Sequence, residues 1–139
     1  MEKLENHKEI CIDTDVLVDF LKKKEPSSSA YEHWRKKASV VVTSITAFEL
    51  LFGSRLSSLR ERRRHDEASS LVEQHSVLPF DKSAAEKASE IGAELRRTGK
   101  EIEIRDLFNA SICLSQGIPM LTRNKVHYQR IAGLAMLDI

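Results

Sequence analysis

Short apolar runs alternate with longer stretches of helical periodicity along this chain. Ile10 and Ile12 flank Cys11 in a run that stops at Asp13-Thr14-Asp15, and Val16, Leu17, Phe20 and Leu21 follow at i, i+1, i+4 and i+5. A short β-branched run ending at turn-forming residues predicts a buried strand, and the spacing after it gives a helix one apolar face. Thr14 or Asp15 is expected to cap that helix, because a side-chain oxygen there accepts from free backbone N–H groups. Lys22-Lys23-Lys24 and Pro26 end it. Ser27 to Ser29 then cap a second helix over 30–37, with Tyr31 and Trp34 on one side. Val40-Val41-Val42 predicts the next strand and Thr43-Ser44 a turn and cap. Ile45, Phe48, Leu51 and Phe52 predict the core face of a helix stopped by Gly53.

Residues 56–74 are polar and rich in Arg, with Leu56, Leu59, Ala68, Leu71 and Val72 as a thin apolar stripe. Val77-Leu78-Pro79-Phe80 predicts a short strand at a sheet edge, since proline cannot donate to a ladder. Asp81 or Ser83 caps a helix over 84–97, and Thr98-Gly99-Lys100 ends it. Ile102 and Ile104 lead to Asp106. Leu107, Ala110, Ile112, Cys113 and Leu114 nearly encircle the helix that follows, as in a buried one, and Gly117 closes it. A strand over 118–122 ends at Arg123-Asn124, followed by a short helix over 125–131 and a final strand over 134–137. Regular alternation of strands and helices predicts an α/β fold with a central, mostly parallel sheet and helices on both faces. The predicted division is a polar extension over 1–8 and one domain over 9–139.

Composition narrows the classes. The 139 residues suffice for one domain with a real core, and 41% hydrophobic and 31% charged residues are ordinary for a globular protein. Net charge is +1, so a nucleic-acid partner would need a local patch. Arg60, Arg62, Arg63 and Arg64 form such a run, broken by Glu61; a solvated helix face is its simpler reading, an RNA contact the other. The polar start resembles neither a signal peptide nor an anchor, and no stretch is long and apolar enough to span a bilayer, so the expectation is a cytoplasmic protein without a membrane partner. Cys11 and Cys113 sit in apolar segments and are expected as buried free thiols.

The candidate chemistry lies at strand ends. Asp13, Ser44 and Asn124 each follow a predicted strand, Glu49 lies about one and a half turns into the helix after the second strand, and Asp106 opens the buried helix. In an open α/β sheet the carboxyl edge is where ligands bind. Each residue alone also has a plain reading: a capped turn for Asp13, a solvent-facing position for Glu49, a helix start for Asp106. Together, Asp13, Glu49 and Asp106 are expected at one end of one sheet. Like charges gathered there need a proton or a cation, and oxygen-only ligands favour Mg²⁺ or Mn²⁺ over Zn²⁺. The five histidines lack metal-ligand spacing, the five glycines form no phosphate loop, and no nucleophile elbow is present. Phe20, Tyr31 and Trp34 exceed what a small sheet obviously needs, so an apolar partner surface around 16–21 and 31–34 is one reading and ordinary core packing the other.

Four stretches, in order and over nearly the whole chain, resemble one family. Ile12-Asp13-Thr14-Asp15-Val16-Leu17-Val18 is similar to the opening motif of PIN-domain ribonucleases, especially VapC-type toxins. Residues 43–53, running Thr-Ser-Ile-Thr-Ala-Phe-Glu-Leu-Leu-Phe-Gly, resemble the second motif; Ile104-Arg105-Asp106-Leu107-Phe108-Asn109-Ala110 the third; and 121–134 the closing segment. The resemblance implies a PIN fold and metal-dependent endonucleolytic cleavage of RNA. It gives Asp13, Glu49 and Asp106 acidic metal-binding roles and makes Asn124 the fourth, polar position. It also implies a homodimer and a neutralising antitoxin. Thr14, Ser44 and Thr122 are candidates for supporting hydrogen bonds. Asp15 stands where the family commonly has Asn, and Asn124 where many members have a second Asp. Asn124 lowers the ligand charge, and Asp15 either restores it or only caps a helix; Glu103 is a further acid without an assigned role. The resulting reading is an Mg²⁺- or Mn²⁺-dependent endoribonuclease toxin, with an RNA-processing PIN nuclease or a binding module whose acids only cap helices as alternatives.

Overall fold

The computed structural model describes residues 8–56 and 62–139, with only the backbone for Arg62. Five parallel strands form one sheet in the order β3-β2-β1-β4-β5: β1 (Glu9–Ile12), β2 (Ser39–Thr43), β3 (Ser76–Leu78), β4 (Met120–Leu121) and β5 (Met136–Leu137). Seven helices join them: α1 (Thr14–Leu21), α2 (Ser27–Lys37), α3 (Ser44–Arg55), α4 (Arg62–Glu73), α5 (Lys82–Arg97), α6 (Ile104–Gln116) and α7 (Lys125–Tyr128). The α/β class, the parallel sheet and the edge position of the Val77 strand are as the sequence pattern predicts. No described helix is long and apolar enough to cross a membrane.

Strand alternation sorts the core onto two faces. Ile10, Ile12, Val40 and Val42 pack with Val16 and Leu17 of α1, Tyr31 and Trp34 of α2, Leu50 of α3 and Leu71 of α4. Cys11, Val41 and Met120 pack on the opposite face with Leu95 of α5, Ala110 and Cys113 of α6 and Tyr128 of α7. Both cysteines are buried and free. On that second face α5 and α6 approach closely at Gly92, where an added Cβ would stand 3.0 Å from Leu107 Cδ2. Gly117 ends α6 at φ 67°, the left-handed conformation that glycine adopts without a Cβ penalty.

The chain runs outward from β1 through β2 to β3, then returns to place β4 on the other side of β1. Strand order therefore reverses between β1 and β4. At such a switch point the connections leave toward opposite faces and open a crevice at the carboxyl edge. Here α1 goes to one face and α7 to the other.

Several local expectations are corrected. Asp13 itself, rather than Thr14 or Asp15, caps α1, its Oδ1 accepting from Thr14 N at 2.8 Å. Within the expected Thr43-Ser44 turn, Thr43 is the residue that caps α3, accepting from Thr46 N. α2 starts at Ser27 without a side-chain cap, α3 runs through Gly53 to Arg55, and α7 ends at Tyr128. Leu59 and Arg60 lie outside the described residues.

The largest correction is the face α3 buries. Thr46, Ala47 and Leu50 point inward, while Phe48 and Phe52 are 54% and 51% exposed and stack on each other with centroids 5.3 Å apart. Apolar residues nearly surround this helix, so periodicity alone could not choose its inner face. Phe52→Ser is accordingly expected to change folding stability by less than about 1 kcal/mol in chemical denaturation, as for other surface positions.

Candidate active site

Backbone register builds the site at the β1–β4 switch point. Cys11 pairs with Met120 and Ile12 with Leu121, and Asp13 N donates to Leu121 O at 2.9 Å. The next residues along, Asp13 and Thr122, therefore meet, and the Thr122 hydroxyl donates to Asp13 Oδ2 at 2.7 Å. Thr122 Oγ1 also accepts from Asn124 N at 2.9 Å, which orients the turn after β4.

Asp106, in the first turn of α6, comes to the same edge. Asn124 Nδ2 donates to its Oδ2 at 3.4 Å, the Tyr128 hydroxyl donates to its Oδ1 at 3.2 Å, and His127 Nδ1 lies 3.5 Å from Oδ2. Asp106 is close enough to Asp13 to act on its carboxyl. Burial, then the carboxylates of Asp15 and Asp106, push the Asp13 carboxyl up to about 7, against the pull of its hydrogen bonds from Thr122 and Thr14.

Glu49 reaches the edge from α3 but sits in its own setting. Its Oε1 accepts from the Thr14 hydroxyl at 2.9 Å, and its Oε2 pairs with Arg105 Nη1 at 3.3 Å. Thr46 Oγ1 lies 3.0 Å from the same Thr14 hydroxyl. The expected trio of acids thus resolves into Asp13 and Asp106 at the switch point, near enough for Asp106 to raise the Asp13 carboxyl, with Glu49 ion-paired to Arg105 at one side. Glu103 joins Glu49 on Arg105, an ion pair at the start of α6.

Asp15 does not cap a helix. Its Oδ2 accepts from Arg123 N at 3.1 Å, and one turn later Asp19 pairs with Arg123 Nε at 2.9 Å. Asp15 and Asp19 thereby clamp the segment after β4 onto α1. Asp15 Oδ1 is buried with no hydrogen-bond partner among the described residues, and burial raises the Asp15 pKa. Ser44 opens α3, and no hydrogen bond links its side chain to the acids.

Sequence reading left out Arg105, Thr46, His127 and Tyr128. Arg105 adjoins Asp106 in the quoted motif. Tyr128 stands four residues after Asn124, a spacing that puts both on one side of a helical turn. Those signals were readable.

Arg63 pairs with Glu67 on exposed α4, as expected for a solvated face. Beside Glu49, a groove of about 350 Å³ runs between α1, α3 and α4, with Val18, Leu21, Leu50 and Ala68 among its lining and Arg64 and Glu67 beside them. Tyr31 and Trp34, by contrast, are buried at 0% and 7% exposure, so they are core and not a partner surface.

The donors around Asp13 and Asp106 are almost all oxygen, which suits a hard divalent cation. A buried carboxyl with a raised pKa, a second acid facing it and an orphaned Asp15 oxygen all represent negative charge that a cation would offset. Among the described residues, however, no three His, Cys, Asp or Glu side chains are gathered into a ready cage.

The PIN domain family model matches residues 10–134. The tRNA(fMet)-specific endonuclease VapC of Shigella flexneri is 28% identical over 127 residues, 91% of this chain and 95% of that relative. Ribonuclease VapC1 of Methanocaldococcus jannaschii is 26% identical over 140 residues, 99% of this chain and 93% of that relative. The DNA-bound VapBC structure from Salmonella typhimurium matches with a TM-score of 0.82 at 26% identity, covering 95% of this chain and 98% of that one. VapBC2 from Rickettsia felis, bound to a promoter DNA fragment, shares the fold with a TM-score of 0.83 at 20% identity, covering 94% and 98%. With the family model spanning every strand but the last and all four sequence motifs, the chain belongs to the PIN domain family.

Proposed function

We propose that this chain is an endoribonuclease that cleaves RNA phosphodiester bonds with Mg²⁺ or Mn²⁺ and acts as the toxin of a toxin–antitoxin pair. One observation carries the chemistry: Asp13 holds a buried carboxyl beside Asp106 at the sheet's switch point, with a pKa raised to about 7. The names of the similar nucleases and of the VapBC complexes support the activity and the pairing.

In this reading Asp13 and Asp106 hold the cation. When bound, such a cation would supply the positive charge that activates water and offsets charge on the scissile phosphate. Thr122 and the Thr14 N–H fix the Asp13 carboxylate from two sides. Asn124 turns its amide nitrogen to Asp106, leaving its carbonyl oxygen as the fourth polar donor. Glu49, held by Thr14 and Arg105, is placed to orient water or to bind a second ion after parting from Arg105. The reading includes a homodimer and a cognate antitoxin. The groove beside Glu49, apolar within and charged at Lys22, Arg64 and Glu67, fits an amphipathic antitoxin segment.

The test is RNA cleavage by purified protein with metal, with chelator, and with metal restored. A second outcome needs no substrate. An ion that binds only the folded chain stabilises it by about 2.7 kcal/mol at a hundredfold excess over its dissociation constant. Thermal unfolding is therefore expected to move upward with millimolar Mn²⁺ or Mg²⁺. An unmoved midpoint, with no heat of Mn²⁺ binding, would contradict the metal assignment.

A further inference from the structure

The Tyr128 hydroxyl does work that the family-level reading does not require. α7 is a single turn, closed by Tyr128 N donating to Asn124 O at 3.3 Å. That spacing stacks the two side chains, and each donates to a different oxygen of Asp106: Asn124 Nδ2 to Oδ2 and Tyr128 OH to Oδ1. The Tyr128 ring is 0% exposed and packed in the core among Cys11, Ala110, Cys113 and Met120. A donor anchored this way cannot swing aside, so it fixes the rotamer of the carboxylate it serves.

The hydroxyl is itself held from behind. Asn109 lies close enough to act on the Tyr128 oxygen, Thr43 Oγ1 donates to Asn109 Oδ1, and Thr46 N donates to Thr43 Oγ1. Asn109 and Thr43 are 2% and 0% exposed. A buried row of polar side chains thus runs from the cap of α3, the helix that carries Glu49, to Asp106. A phenol keeps its proton at neutral pH, so the Tyr128 hydroxyl is available as a donor to Asp106 Oδ1.

We infer that Tyr128 is a positioning residue: its buried hydroxyl, backed by Asn109 and Thr43, locks the Asp106 carboxylate in the orientation that receives a divalent cation. This rests on the proposed metal role of Asp106. Partners that orient a metal-binding carboxylate typically contribute about 10–100-fold to metal affinity or activity.

The test is Tyr128→Phe, which keeps the ring and removes only the hydroxyl. Calorimetric Mn²⁺ titration of wild type, Tyr128→Phe and Asp106→Asn separates the possibilities. The expected result is that Tyr128→Phe binds Mn²⁺ about 10–100-fold more weakly, with RNA cleavage reduced to match at subsaturating metal and partly recovered at high metal. Its apo melting temperature should fall by only a few degrees. A merely structural tyrosine would lower the melting temperature and leave Mn²⁺ affinity within twofold of wild type. That outcome, with Mn²⁺ binding lost in Asp106→Asn, overturns the role of Tyr128 and leaves Asp106 in place. Wild-type Mn²⁺ affinity in a folded Asp106→Asn overturns the metal reading itself. Should Tyr128→Phe fail to fold, Asn109→Ser, which shortens the backing side chain, must still weaken Mn²⁺ binding, and unchanged binding there is equally contrary.

Discussion

Asp13→Asn should abolish RNA cleavage while leaving the metal-free fold as stable as wild type or more so. The loss has a direct cause. The change removes a hard anionic oxygen from the Asp13–Asp106 pair and with it several kcal/mol of metal-derived transition-state stabilisation, a fall of about 10³-fold or more. The gain in stability comes from the environment that makes the site. Asp13 is 6% exposed and shares its surroundings with Asp15 and Asp106, so its charged form is costly without a cation. An amide there can still accept from Thr14 N, since Asn is a good helix cap. Its nitrogen can donate to Thr122 Oγ1, and the Thr122 hydroxyl can turn to Asp15 Oδ2, already 3.5 Å away.

The pH dependence follows with a definite sign. An unfolded chain releases the Asp13 proton near 3.8, and the folded chain near 7. Between these values the folded state binds more protons, so stability of the metal-free wild type falls as pH rises through the interval and levels off above it. Asp13→Asn has no such titration. Its folding stability should therefore be near wild type at about pH 4 and exceed it most at pH 7 to 8, by an amount on the order of 2–4 kcal/mol, with the melting temperature moving in the same sense. Melting curves in chelator at several pH values measure this. A variant less stable than wild type at pH 8, with a gap that does not depend on pH, would mean that Asp13 is an ordinary cap.

Tyr31→Ala is expected to destabilise the fold by about 3–5 kcal/mol, the cost of removing a large buried aromatic side chain. Tyr31 is 0% exposed, sits edge-on to Phe20 with centroids 4.5 Å apart, and places its hydroxyl 2.5 Å from His75 Nε2. Burial lowers the His75 pKa, which favours the neutral ring that accepts from the phenol. Chemical denaturation measures the effect. A change under about 1 kcal/mol would mean that the ring lies on a partner surface after all.

What was legible in the sequence was local. A β-branched run ending at Asp13, a helix closed by Gly117, and a proline beside an edge strand each carry their reason within a few residues. The alternation of elements then fixed the sheet as parallel and put Asp13, Glu49, Asp106 and Asn124 at one edge. Side-chain choices between faces were less legible. Phe48 and Phe52 carry the same hydropathy whether buried or exposed, and only the packing of α3 on the sheet decides for Ala47 and Leu50. For Tyr31 and Trp34 the choice between core and partner surface is likewise made only by packing, since α2 turns them into the core. Long-range pairings were the least legible. The bond from Tyr128 to Asp106 and the Arg105–Glu49 pair depend on where α7, α6 and α3 converge, which no single stretch encodes.

In the proposed function the Asp13–Asp106 edge cleaves RNA with a divalent cation. The most direct measurement is single-turnover cleavage of end-labelled RNA by the wild-type chain in Mg²⁺, after chelation, and after Mg²⁺ is restored, with Asp106→Asn prepared identically. The expected result is cleavage that chelator stops and Mg²⁺ returns, and none above background in the folded variant. Cleavage that persists in chelator, or that Asp106→Asn retains in full, would contradict it.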